Sequence, residues 1–163
     1  MTLSVGTSKA GTRGVTLMEM LVVVAIIGLI IGVTLPSVSA GIDSVRLRTA
    51  TSSVAAVLNA AVTRVARRQQ PIEVMISPEE NRITIVSSEP GFERELRMPD
   101  GVMIEAVFPD IPGEGEGGRH LLLLPGATAP AIGVQLVNRH GSRRLVKLDP
   151  MTGFPRVEAL ANK

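Results

Sequence analysis

Cysteine, tryptophan and tyrosine are absent from this chain, which holds only three phenylalanines and two histidines among 163 residues. Without cysteine there is no disulfide framework, no thiolate metal site and no thiol nucleophile. With aromatic residues this scarce, no platform exists on which unpaired bases could stack, which counts against a single-stranded nucleic-acid binder. His120 and His140 stand in no HExxH arrangement, and neither a GxSxG elbow nor a phosphate loop occurs. Glu79 and Glu80 fall in a turn, where solvation explains them. No catalytic constellation emerges, so an enzyme is not expected and no cofactor is implied.

Acidic residues are also missing before Glu19, and the only charges before Val15 are Lys9 and Arg13. The pI near 9.7 depends on that pair: without them 15 of the 17 basic residues remain against 15 acidic ones. A chain cut near Val15 is therefore neutral, and its charge does not argue for nucleic acid.

What is present is a long apolar run. Residues 15–35 would span about 31 Å as a helix, close to the roughly 30 Å of a bilayer's hydrocarbon. Lys9 and Arg13 place the short N-terminal side in the cytoplasm and send residues 37–163 across. One residue conflicts with the pattern. Glu19 lies just inside the run, where a charge in hydrocarbon costs about 3 kcal/mol or more. A signal anchor and a secretory signal peptide cut after the small residues Val38-Ser39-Ala40 are two readings of this segment; the run is long for the second, and Glu19 is unfavourable in it.

The third reading comes from the order Gly14-Val15-Thr16-Leu17-Met18-Glu19, with basic residues before it and a long apolar helix after. This string resembles the processing site of type IV pilins and type II secretion pseudopilins. The resemblance implies a prepilin peptidase that cuts after Gly14 and methylates Val15, a position where the family more often carries phenylalanine. It also implies a partner for the carboxylate: in the family, the glutamate matching Glu19 meets the N-terminal amine of a neighbouring subunit. That pairing offsets the penalty on both charges. Gly28, Gly32 and Pro36 follow at four-residue spacing. They serve either close helix packing, since Gly28 to Gly32 is a GxxxG, or a bend.

The helix is predicted to continue to the neighbourhood of Pro71. Val54, Val57, Leu58, Ala61, Val62 and Val65 form one stripe, with Asn59, Thr63 and Arg67 opposite. Val38, Ile42 and Val45 point another way. The expectation is that the first stripe carries the chain's own β domain and the second set meets neighbouring subunits. Arg64, Arg67 and Arg68 are read as solvated complements of the helix dipole.

Beyond Pro71 the apolar period changes to two. "PIEVMIS" and "NRITIVS" flank a Pro-Glu-Glu-Asn turn and read as a hairpin. "FERELRM", "VMIEAVF", "HLLLL", "AIGVQLV" and "RRLVKL" are further strands, giving an antiparallel domain of two small sheets or one curved sheet. Residues 131–157 resemble the closing hairpin of the H-type minor pseudopilins and related minor pilins, most clearly at Asp149, Pro150, Thr152 and Gly153. These are turn formers, and they identify a fold rather than a chemistry.

Two loops invite a chemical reading. Asp110, Glu114 and Glu116, in the stretch from Asp110 to Arg119, could surround calcium, but the spacing fits no EF-hand and no metal site is assigned. Arg139, Arg143 and Arg144 crowd a hairpin tip, and a solvated basic turn is favoured over a DNA contact.

The sequence thus predicts an α+β, pilin-like chain: leader 1–14, membrane-spanning and assembly helix 15–36, amphipathic continuation 37–70, and antiparallel β domain 71–163. The resemblance implies a minor pseudopilin of a type II secretion system, held in a bacterial inner membrane with its β domain periplasmic and then drawn into a pseudopilus. Its implied partners are the prepilin peptidase, the inner membrane and other pseudopilins or pilins. The alternative is a minor pilin of a type IV pilus. An unrelated exported enzyme on a signal anchor would need an active site that the sequence does not offer.

Overall fold

A computed structural model describes residues 14–87, 92–110 and 118–160, with the side chains of 33–38 outside the description. Among these residues one helix, α1 (Leu17–Arg68), precedes eight strands: β1 (Ile72–Ser77), β2 (Arg82–Ser87), β3 (Glu93–Arg97), β4 (Val102–Phe108), β5 (Arg119–Leu123), β6 (Ile132–Asn138), β7 (Arg143–Leu148) and β8 (Pro155–Leu160). The chain divides into two compact units after Val38.

In the first unit every described side chain of α1 is exposed, so these apolar residues have no core of their own.

The second unit holds the core. The strands form two antiparallel four-stranded sheets, ordered β3-β2-β1-β5 and β4-β6-β7-β8. β1 alternates buried and half-buried residues as its sequence predicts, with Ile72, Val74 and Ile76 facing inward. After β4 the chain returns to the first sheet with β5, which pairs with β1, before finishing the second sheet. Leu47, Ala50, Val54, Leu58, Ala61 and Val65 of α1 join the inward residues of both sheets in one buried cluster. The stripe begins earlier than the sequence suggests: Leu47 and Ala50 belong to it, and Thr51 is buried beside them. Thr51 escapes the cost of burial because its hydroxyl donates to the Leu47 carbonyl at 2.6 Å.

Asn81 joins the two sheets. It ends the β1–β2 turn with φ of +52°, a conformation asparagine tolerates. Its side-chain amide donates to the Val102 carbonyl at 2.8 Å, and its Oδ1 accepts from the Ile104 amide at 2.9 Å.

Candidate functional site

The segment read as a processing site straddles the start of α1. Gly14 and Val15 are exposed and non-helical, and Thr16 occupies the N-cap position. The Glu19 backbone amide donates to Thr16 Oγ1 at 3.2 Å, which satisfies one of the unpaired donors that open a helix. Thr16-Leu17-Met18-Glu19 therefore has the spacing of a capping box, and Glu19 is the acidic residue of the first turn. A local reason for an acid at this position thus exists, one the sequence reading overlooks. The side chain itself is exposed.

An added Cβ at Gly28 or Gly32 would meet nothing within 4 Å, so no contact among the described residues requires either glycine. The backbone stays helical through both and through Pro36, whose side chain lies outside the described residues. Among the described residues no helix is long and apolar enough to cross a membrane. The described side chains of the apolar run stop at Gly32, short of its sequence end at 35.

Further along α1, Ile42 and Val45 are exposed while Leu47 and Ala50 are buried, so the two expected faces are distinct. Val38, the third residue of the outward set, lies outside the described side chains, as Lys9 and Arg13 lie outside the described residues. At the helix end Arg67 and Arg68 are exposed, but Arg64 departs from the solvated reading. It is half-buried, with its guanidinium carbon 3.6 Å from the centroid of the Phe92 ring.

The basic hairpin tip is also more engaged than expected. Arg143 holds Glu105 through Nε at 2.7 Å and Nη2 at 2.8 Å, and Gln135 donates to the same carboxylate at 2.7 Å. The Arg143 hydrogen bonds, with a smaller contribution from Gln135, hold the Glu105 carboxyl below its ordinary pKa. Glu105 stands at an irregularity of β4, between Ile104 and Ala106, where its register against β6 shifts. Pairing by sequence pattern alone does not locate it. His120 and His140 both touch carboxylates, Glu73 at 2.8 Å and Asp43 at 3.2 Å.

The turn predicted around Asp149 is present and connects β7 to β8. The Asp149 amide donates to the Phe154 carbonyl at 3.1 Å, and the Gly153 amide donates to the Asp149 carbonyl at 2.8 Å. Gly153 takes φ of +69°. The Met151 amide donates to the Asp149 carboxylate, and this bond, more than the nearby Arg156, holds that carboxyl below its ordinary pKa.

Among the described residues these features bring no catalytic constellation together. Glu114 and Glu116 of the acidic loop lie outside the described residues, and among those described no cluster could hold a metal ion. A hollow of about 490 Å³ opens beside Phe108, Pro109, Gly133 and Pro150, with the charged residues Lys147, Asp149, Arg156 and Glu158 also on its lining. Those four charges are paired with one another, Arg156 with Asp149 at 3.1 Å and Lys147 with Glu158 at 3.4 Å.

No protein-family profile matches this chain, and no curated protein sequence does. Solved structures do match its fold. The chain is similar to the minor pseudopilin EpsH from the Type 2 Secretion System of Vibrio cholerae, with a TM-score of 0.55 and 12% identity over 70% of this chain and 97% of that one. A second similarity is to the type IV minor pilin FimU of Pseudomonas aeruginosa, with a TM-score of 0.49 and 11% identity over 71% of this chain and 88% of that one. The fold of this chain is pilin-like: a long N-terminal helix packed on two antiparallel sheets.

Proposed function

We propose that this chain is a minor pseudopilin, a structural subunit that works by assembly in the periplasmic pseudopilus of a type II secretion system and assists export of folded proteins. The observation that carries the reading is the placement of Gly14-Val15-Thr16-Leu17-Met18-Glu19 at the head of an exposed apolar helix on a pilin-like fold. Residues 15–35 span the inner membrane in this reading, with the β domain periplasmic. A prepilin peptidase cuts after Gly14, in exposed non-helical backbone that a protease can enter, and methylates Val15.

The cut leaves an ammonium on Val15. In hydrocarbon that charge and the Glu19 carboxylate each need a partner. Pairing Glu19 of one subunit with the Val15 amine of its neighbour fixes their axial stagger as the helices pack. The Thr16 cap orders the backbone between the two groups. Gly28 and Gly32, beside which an added Cβ would meet nothing among the described residues, leave room for a neighbouring helix.

The test is the intact mass and N-terminal sequence of the protein extracted from its native membrane. Methylated Val15 at the N-terminus supports the pathway. An N-terminus at Gly41, or an uncut chain, overturns it. Deletion of the gene then separates the two filament types: loss of exoprotein secretion supports the pseudopilus, and loss of surface pili with secretion intact assigns the chain to a type IV pilus.

A further inference from the structure

β8 is the last strand of its sheet and pairs only with β7 among the described residues. Which of its backbone groups face outward follows from the turn before it. The Asp149 amide bonds the Phe154 carbonyl, so that pair points toward β7. Register then places Leu148 opposite Pro155 and Val146 opposite Val157, and hydrogen-bonding positions alternate along an antiparallel pair. The amide and carbonyl of Val157 and of Ala159 therefore face away from β7, as does the Pro155 carbonyl. Pro155 fits this assignment, because the amide it lacks would point to the open edge.

Open edges are normally blunted by charge, proline or brevity. This one carries charges of opposite sign two residues apart, Arg156 and Glu158, both exposed. Their spacing has a specific consequence for a second copy laid antiparallel with Val157 opposite its twin. Arg156 then faces Glu158, Pro155 faces Ala159, and Phe154 faces Leu160. Each position meets a compatible partner: opposite charges, small apolar side chains, and an exposed phenyl ring against leucine. Sliding the centre to Arg156 or to Glu158 would oppose like charges, so the register is specified.

We propose that β8 is a self-complementary edge through which two copies of this chain join about a twofold axis at Val157, making one continuous sheet from their two second sheets. Each Val157 exchanges both backbone bonds with its twin, and each Ala159 amide donates to the Pro155 carbonyl of the other copy. The ion pairs of Arg156 with Asp149, at 3.1 Å, and of Lys147 with Glu158, at 3.4 Å, already hold both charged side chains on the sheet surface. The same patch used by both copies makes the interface isologous and closed, so it yields a dimer and not a fibre. This pairing is independent of the secretion reading.

Because the chain has no cysteine, Val157→Cys introduces its only thiol. In the full chain kept in mild detergent, this variant is expected to form a disulfide-linked dimer about tenfold faster than Met103→Cys, a more exposed position on the far edge strand. Arg156→Glu sets two carboxylates opposite each other at both symmetric sites and is expected to weaken self-association about tenfold by sedimentation. Adding Glu158→Arg to that variant is expected to restore it. Equal crosslinking at positions 157 and 103 would overturn the proposal, since any dimer would then form elsewhere, for example along α1. A monomer at all concentrations, self-association indifferent to Arg156→Glu, or crosslinking of the Val157→Cys variant only to a different protein would overturn it as well.

Discussion

Nε2 of His140 lies 3.2 Å from Oδ2 of Asp43, which ties the turn between β6 and β7 to α1. Asp43 is nearly buried, and Arg46 approaches its other oxygen at 3.6 Å. One carboxylate thus bridges a cation on its own helix and an imidazole from the far sheet. Replacing His140 by Ala is expected to cost about 0.5–1 kcal/mol, because the imidazole is half-exposed and only its partner is shielded. Asp43→Ala is expected to cost more, about 1–2 kcal/mol, since both contacts go. A double-mutant cycle from denaturant unfolding of the full chain in detergent measures the coupling. Strict additivity would mean that the contact contributes nothing.

The depressed carboxyl groups set an acid limit. Glu105 and Asp149 both titrate lower in the folded chain than their ordinary values. Their contribution to stability is therefore complete above the unfolded carboxylate pKa of about 4 and disappears as pH falls through the lower folded values. The variant Glu105→Gln/Asp149→Asn is expected to melt below the parent at pH 7, with the gap narrowing as pH falls below about 4. Melting temperatures of both proteins from neutral pH down into the acid range decide this. A gap constant across that range would refute the assignment.

At Gly153 two penalties coincide. Its φ of +69° disfavours any side chain, and an added Cβ would lie 3.2 Å from Val62 Cγ1 on α1. Gly153→Ala is expected to cost about 1–2 kcal/mol. The same substitution in a Val62→Ala background keeps the backbone strain and loses the contact, so its cost should be smaller. Equal costs in both backgrounds would show that the backbone term alone matters.

Much of this fold is legible in the sequence because one buried face imposes a simple period. The alternation of Ile72, Val74 and Ile76, and the helical spacing of Val54, Leu58, Ala61 and Val65, report burial directly. β8 escapes recognition as a separate strand because its residues are largely exposed and carry no such period. The contacts of Arg64 with Phe92, Arg143 with Glu105 and His140 with Asp43 are equally invisible, since each joins residues far apart in the chain and depends on how the elements pack, on register or on a strand irregularity. The segment from Gly14 to Glu19 is legible through its residue order, yet the cap by Thr16 shows that the position of Glu19 also serves the helix start.

The two faces of α1 make the sharpest division. Ile42 and Val45 are exposed, whereas Leu47, five residues beyond Ile42, is 2% exposed and in the core. Ile42→Lys and Val45→Lys are expected to change unfolding free energy by no more than about 0.5 kcal/mol, as exposed substitutions do. Leu47→Lys places an unpaired charge among the core side chains and is expected to cost about 3 kcal/mol or more. On the assembly reading, the first two variants remain folded yet fail to enter filaments when co-expressed with the other subunits, because a lysine on the packing face would be buried unpaired against a neighbour. Folded Ile42→Lys protein incorporated at the parental level would show that this face is not the packing face. Loss of folding in that variant would show that the face serves the chain's own domain.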